Sequence, residues 1–238
     1  MKKNSKKIDC SFFMLCILLI SICLLFLWFI LKKERQNFED KQKPLLFIHI
    51  PKTGGTFVED EFKKYNYNVG RYDPNKNLRT KSTCSFWHTP LKNNKNINFN
   101  DYITFTVVRD PYDRIISEYN WKGFSHNNYG LTKDSEINDF VSKLNTNDII
   151  YKGDCHLVPQ TEYLTDAYGN KVQHILHQEH LNEELNEFIK TYRLGIELST
   201  EKIQKKSRNH TKDELNDTSL KFIQKYFKKD FDYLGYKF

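Results

Sequence analysis

The sequence predicts an α/β fold, a parallel sheet flanked by helices, standing behind an N-terminal transmembrane helix. Three observations predict it. The stretch Phe12 to Leu31, FFMLCILLISICLLFLWFIL, runs for twenty residues without a charge. Two later apolar runs, Leu45 to Ile50 and Tyr102 to Val108, each stop at a proline-containing turn and pass directly into a helical pattern. Strands that alternate with helices require crossover connections, and hence a parallel sheet covered on both faces. With 238 residues the chain has room for one domain of ordinary size plus a targeting segment, and hardly for two.

A helix rises about 1.5 Å per residue, so Phe12–Leu31 spans roughly 30 Å, the thickness of a bilayer's hydrocarbon core. A secretory signal peptide as a rule has a shorter apolar core and a small-residue cleavage site, which does not follow Leu31. A core helix is not apolar on every face. A retained anchor is therefore expected. Residues 1–11 form a short tail whose four lysines and one aspartate contribute +3 to the formal net charge of +7. Lys32, Lys33 and Arg35 follow the span, but the tail is slightly more positive, which puts it in the cytosol and the rest across the membrane, single-pass and type II. Residues 32–43 read as a polar stem and residues 44–238 as the folded domain. Subtracting the tail's +3 from +7 leaves +4, which favours anionic ligands weakly and is no footprint of a nucleic-acid binder.

Cys10, Cys16 and Cys23 lie in or beside the anchor. Cys84 and Cys155 could pair in an oxidising lumen or stay as buried thiols. The sequons Asn209-His210-Thr211 and Asn216-Asp217-Thr218 fit a luminal location.

Within the domain, Leu45–Ile50 is bounded by Pro44 and Pro51 and reads as a strand buried on both faces. Thr56 to Tyr65 follows with Phe57, Val58 and Phe62 at roughly helical spacing. Asn66 to Lys81 holds Gly70 and Pro74 among polar residues and reads as an irregular connection. Cys84 to Leu91, CSFWHTPL, is a short aromatic island, and Lys92 to Asn100 a polar loop. Tyr102–Val108, β-branched and aromatic, is the second strand. Asp113 to Trp121 is the second helix, with Ile115, Ile116 and Tyr119 on one side. Ile137 to Leu144 is amphipathic, Lys171 to His177 suits a short strand, and Leu181 to Tyr192 and Ser219 to Phe227 are helices. The aromatic tail DFDYLGYKF is expected to dock on the core.

The junction LLFIHIPKTGGTF, Leu45 to Phe57, joins a strand to a helix through one lysine and two glycines. Glycine lets the backbone approach an anion, the helix N-terminus offers unpaired N–H groups and a positive dipole end, and lysine adds a mobile charge. The domain is in that sense P-loop-like. A Walker-type loop, however, needs its lysine after the last glycine. Here Lys52 comes first, which sets its ammonium on the strand side of the anion and leaves the N–H groups of Gly54, Gly55 and Thr56 beneath it. A P-loop-type kinase is the less favoured reading for that reason.

IHIPKTGGTF resembles the 5′-phosphosulfate loop of Golgi-type carbohydrate sulfotransferases, in particular the group containing the heparan sulfate 2-O- and 6-O-sulfotransferases. TFTVVRDPYDRIISEY is similar to that family's 3′-phosphate motif, whose arginine and serine fall on Arg109 and Ser117. HLVPQTEYL resembles part of the family's C-terminal half, and the resemblance covers most of Pro44 to Phe238. It implies a co-substrate, 3′-phosphoadenosine 5′-phosphosulfate (PAPS), held by Lys52, Thr53, Gly54, Gly55, Thr56, Phe57, Arg109 and Ser117. Arg208, in a late basic segment, is a further phosphate contact by the same resemblance, although Lys205, Lys206 and Arg208 read equally well as a solvated charge run. The resemblance also implies sulfuryl transfer to a hydroxyl of a glycan or glycosaminoglycan-like acceptor at the Golgi membrane, with the domain luminal; no metal is required, because Lys52 and the loop dipoles neutralise the donor, and no nucleic acid is expected as a partner.

Such a transfer needs a base at the attacking oxygen and a cation at the leaving oxygen. Lys52 suits the second role. Of the eight histidines, His49 reads as a core residue, and His126 and His210 lie in polar loops. His174, His177 and His180 recur in three-residue steps without a matching set of carboxylates or cysteines for a metal. His88, in Phe86-Trp87-His88 between the two motifs, is the expected general base: the related sulfotransferases carry their catalytic histidine there, and partial burial keeps an imidazole neutral. His156 is the second choice, as base or as an acceptor contact. The alternative is a membrane-tethered glycan- or nucleotide-binding protein without activity, disfavoured because Lys52, His88, Arg109 and Ser117 occur together.

Overall fold

The computed structural model describes residues 10–40, 43–78, 84–121, 136–144, 154–199 and 210–238. The chain falls into two units, Met1–Lys43 and Pro44–Phe238. The first contains one helix, α1 (Cys10–Asp40, 31 residues), and from Leu18 to Leu31 each of its side chains is exposed. Among the described residues no helix is long and apolar enough to cross a membrane. The anchor at Phe12–Leu31 lies inside α1 and stays an expectation of the sequence.

The second unit is built on a three-stranded parallel sheet in the order β1-β2-β3. β1 (Leu45–Ile48) leads into α2 (Gly55–Lys64), and β2 (Ile103–Val108) leads into α3 (Pro111–Tyr119). After α4 (Ile137–Leu144) come β3 (His174–His177) and α5 (Leu181–Tyr192), and the chain closes with α6 (Asp217–Tyr226) and α7 (Lys228–Leu234). The register sets Phe47 beside Phe105 and Phe105 beside His174. Both expected βα units are present. β1 stops at Ile48 rather than Ile50, because His49 and Ile50, still buried, have left the ladder ahead of the turn at Pro51.

Every position of β2 is buried, which accounts for its unbroken apolar and β-branched run. Its two threonines are satisfied in that setting. Thr106 Oγ1 donates to Ile48 O at 2.6 Å, Thr104 N donates to Gln173 Oε1 at 3.0 Å, and Gln173 N donates to Thr104 Oγ1 at 2.9 Å. A buried hydroxyl left without a partner costs about 1–3 kcal/mol.

One face of the sheet packs Phe47, Phe105 and Val107 against α2 and α5. The Phe105 ring centroid lies 4.9 Å from Phe47, 5.4 Å from Phe62 and 4.6 Å from Phe188. Full burial of each such ring contributes about 1.5–3 kcal/mol. The opposite face packs Leu46, Ile48 and Val108 against Leu91, Phe99, Val158 and Tyr163 from the connections. A third cluster joins Ile115, Ile116 and Tyr119 of α3 to Phe140, Ile223, Phe227 and Phe231, so the aromatic tail docks as expected. Cys84 and Cys155, both buried, form a disulfide with a Cα–Cα separation of 5.5 Å.

Candidate active site

β1 delivers the chain to a turn in which two residues are left-handed, Lys52 at φ 70° and Gly54 at φ 96°. Glycine adopts that region freely, whereas a lysine pays about 1–2 kcal/mol for it, and such strain gathers at functional positions. α2 starts at Gly55 with no side-chain cap, so its leading N–H groups are left for an anion. Thr53 is fully buried and its hydroxyl donates to Ile50 O at 2.8 Å, so its side chain serves the turn and only its backbone can serve a ligand. Thr56 is exposed, and Phe57 packs on the α2–α5 core.

Gly55 is pressed against His49. A Cβ there would lie 2.5 Å from both Cδ2 and Nε2 of the imidazole. Gly55→Ala is expected to force His49 away from the loop at a cost of about 1–3 kcal/mol, read as a lower melting temperature. An alanine variant that melts like the parent would contradict this packing.

β2 ends beside the loop because parallel neighbours finish on the same edge of a sheet. Arg109 Nη1 donates to Lys52 O at 3.3 Å, and its Nη2 lies 3.8 Å from Asp113 Oδ2. The backbone of Arg109 is clamped by Gln160, whose Oε1 accepts from Arg109 N at 2.9 Å and whose Nε2 donates to Arg109 O at 2.8 Å. Gln160 N in turn donates to the buried Asp230 of α7 at 2.8 Å. Asp110 caps α3, accepting from Tyr112 N at 2.8 Å, and Ser117, half-buried, lies one turn beyond Asp113 on the same helix. The two strand-end motifs are thus brought together. Arg208 and Asn209, like His126, lie outside the described residues.

Behind the loop three histidines stand in a row, each tied through Nδ1 to a carboxylate. His49 pairs with Glu59 of α2 at 2.7 Å, His88 with Asp154 at 2.8 Å, and His156 with Glu118 of α3 at 2.8 Å. Ring centroids are 4.8 Å apart for His49 and His88, and 5.0 Å for His88 and His156. Trp121 stacks on His156 at 4.9 Å, and the Lys52 ammonium lies 4.5 Å from the Trp121 centroid. These contacts close a circuit from Gly55 through His49, His88, His156 and Trp121 back to Lys52. His88 sits in the middle of it.

Burial pushes the pKa of His88 down to about 4; the hydrogen bond with Asp154 opposes the fall, and the neighbouring His49 and His156 add to it. Asp154 is desolvated as well, but the hydrogen bonds from His88 and Ser85 outweigh this and hold it down to about 2. Near neutral pH the pair is therefore a neutral imidazole and a carboxylate, and the proton between them sits on Nδ1. Nε2 is left as the basic atom.

Several residues of this site are not singled out by sequence reasoning. Arg114 is fully buried, its Nε donating to Pro51 O at 3.0 Å and its Nη2 to His156 O at 2.7 Å, which fastens the loop to the histidine segment. Its place beside Ile115 and Ile116 on a helix expected to be buried is the signal available. Trp121 and Gln160 give no comparable sign, and Asp154 meets His88 across 66 residues of sequence. Donor atoms of His88, Asp154 and His156 lie within 4.8 Å of one another, close enough for a metal ion, although Asp154 Oδ2 already accepts from His88 and Ser85. His174 and His177 pair instead with Tyr192 and Glu184.

A sequence model of the sulfotransferase family matches residues 35–237, which takes in both strand-end motifs, the histidine row and the closing helices. No curated protein and no solved structure matches the chain. The chain belongs to the sulfotransferase family, whose reaction is transfer of a sulfuryl group.

Proposed function

We propose that the protein transfers the sulfuryl group of PAPS to a carbohydrate hydroxyl, with His88 as general base and Lys52 at the leaving oxygen. The observation that carries this reading is the closed circuit of contacts. One neutral, oriented histidine is linked to the loop from both ends, through His49 to Gly55 and through His156 and Trp121 to Lys52. Arg109, one strand away from Lys52, supplies the second cation that a donor with two separate anionic ends needs. In this reading Lys52 with the backbone of Thr53, Gly54, Gly55 and Thr56 holds the phosphosulfate, Phe57 supports the helix start, and Arg109 and Ser117 hold the 3′-phosphate.

In the reaction the acceptor oxygen forms its bond to sulfur as Nε2 of His88 takes the hydroxyl proton. The bond from sulfur to the 5′-phosphate oxygen breaks on the opposite side, and its electron pair stays with the phosphate, where Lys52 neutralises the charge. The carbohydrate acceptor is supported by the likeness of the two motifs to Golgi-type enzymes. A luminal, type II anchored arrangement is supported by the exposed apolar residues of α1 from Leu18 to Leu31, and by a disulfide that suits an oxidising compartment.

Incubating the full chain in detergent with radiolabelled PAPS and a panel of desulfated glycosaminoglycans is expected to label at least one acceptor, with PAPS binding visible in calorimetry. Absence of both label and binding overturns the reading. Binding without transfer points to the tethered, non-catalytic binder.

A further inference from the structure

We propose that Asp154 is the positioning residue that sets the tautomer of His88, and that the Cys84–Cys155 disulfide holds Asp154 in place. The proposal rests on the reading of His88 as the base. His88 follows Cys84 and Ser85 in a short turn, whereas Asp154 immediately precedes Cys155; among the described residues no strand joins the two segments. Asp154 spans the gap with both oxygens. Oδ1 accepts from Ser85 N, and Oδ2 accepts from Ser85 Oγ and from His88 Nδ1, each at 2.8 Å.

The turn that presents this carboxylate is strained, although Val158 N donates to Cys155 O at 3.2 Å within it. Asp154 and Cys155 are consecutive non-glycine residues in the left-handed region, at φ 60° and 63°. Each such residue costs about 1–2 kcal/mol, so the conformation persists through its attachments. Among the described residues those attachments include the disulfide across 71 residues of sequence, the Tyr163 hydroxyl donating to Cys155 O at 3.1 Å, and the bonds to Ser85. The disulfide therefore joins the base and its orienting carboxylate at their roots.

The chemical consequence concerns one proton. A neutral imidazole without an acceptor at Nδ1 is free to carry its proton on Nε2, where it can no longer accept one from the acceptor hydroxyl. His49 and His156, the two histidines that adjoin His88, spend their own Nδ1 atoms on Glu59 and Glu118. Asp154 is thus the group that keeps the lone pair on Nε2, and the carboxylate also raises the basicity that burial has lowered.

The test compares the full chain with Asp154→Asn and Ser85→Ala, using kcat, KM for PAPS, the pH profile and long-range 1H–15N spectra of histidine-labelled protein, with His88 assigned from His88→Gln. In the parent, His88 is expected as the Nδ1–H tautomer. In Asp154→Asn it shifts towards Nε2–H, kcat falls on the order of 10²–10⁴-fold, KM for PAPS is kept, and the acid limb of the profile moves to lower pH. Ser85→Ala, which leaves the carboxylate and removes one of its anchors, keeps the parent fold and shows a loss of about tenfold or less. Replacing Cys84 and Cys155 together by serine reduces kcat in the same sense, again with KM for PAPS kept. An unchanged tautomer in Asp154→Asn overturns the positioning role, whatever the activity. A switched tautomer with intact kcat overturns instead the assignment of His88 as base, and the proposal falls with it.

Discussion

Lys52→Ala lowers kcat for sulfuryl transfer by about 10³-fold, equivalent to roughly 4 kcal/mol of lost transition-state stabilisation. The size follows from what the lysine meets. Negative charge is spread over the donor before reaction and gathers on the 5′-phosphate oxygen as the bond to sulfur breaks, so a cation aimed at that oxygen is worth more in the transition state than in the ground state. The backbone N–H groups at the start of α2 share the ground-state load, which limits the rise in KM. Lys52 stands in a left-handed conformation at φ 70°, with its ammonium 4.5 Å from the Trp121 ring centroid. That resting contact is worth about 0.5–1 kcal/mol at a partly exposed site. Lys52→Arg retains the charge on a bulkier, planar head and is expected to recover part of the rate. Steady-state kinetics at saturating PAPS decide the matter. A variant whose KM rises while kcat is untouched would assign Lys52 to donor binding alone.

What can be read from the sequence divides along the range of the interactions. Both βα units are legible because their signals are local. A buried parallel strand is an apolar run, its end is marked by Pro51 or by Asp110-Pro111, and the helix that follows repeats apolar residues along one face. The boundaries are less legible. α3 begins at Pro111, two residues ahead of the apolar pattern, because Asp110 caps it and proline suits the first helical position. β3 is only His174–His177, since Gln173 turns its side chain and its N–H to Thr104 of the neighbouring strand.

The site shows the same division. Lys52, Gly54, Gly55 and Arg109 stand where local motifs put them, and the parallel pairing of β1 with β2 makes them neighbours. Thr53 lies in the same motif, yet its hydroxyl is turned inward, a choice made by the tight turn rather than by the residue type. His49 is a buried histidine as expected, and the glycine beside it has a reason beyond the anion, because the ring occupies the space of a side chain. The carboxylates that orient His88 and His156 are invisible in sequence. Asp154 and Glu118 lie 66 and 38 residues from their histidines and belong to no shared pattern. Arg114 is hidden for a related reason, since its partners are the backbone oxygens of Pro51 and His156, which any residue would supply.

His88→Ala abolishes measurable transfer, a fall on the order of 10²–10⁴-fold in kcat, while PAPS binding in calorimetry stays within a few-fold of the parent. Binding is expected to be spared because His88 lies next to His49 and His156 and not among the cations proposed to hold phosphate. The pH profile gives the same residue a second signature. The base works when neutral, and burial has moved its pKa down to about 4, against the opposing pull of Asp154. An ordinary histidine begins to shut off below about pH 6.5; here the acid limb of kcat belongs near pH 4, with Asp154, held down to about 2, ionised throughout. Stability carries the matching sign. The unfolded chain protonates this histidine near pH 6.5 and the folded one only near 4, so the contribution is whole above 6.5 and is lost as pH falls between those values, to the extent of roughly 3 kcal/mol. Activity and stability therefore part company in mild acid: around pH 5 the enzyme turns over with an intact base while its melting temperature has already begun to drop. A limb near pH 6.5 in kcat, or transfer retained in His88→Ala, moves the base to another residue, and His156 with Glu118 behind it is then the one to test.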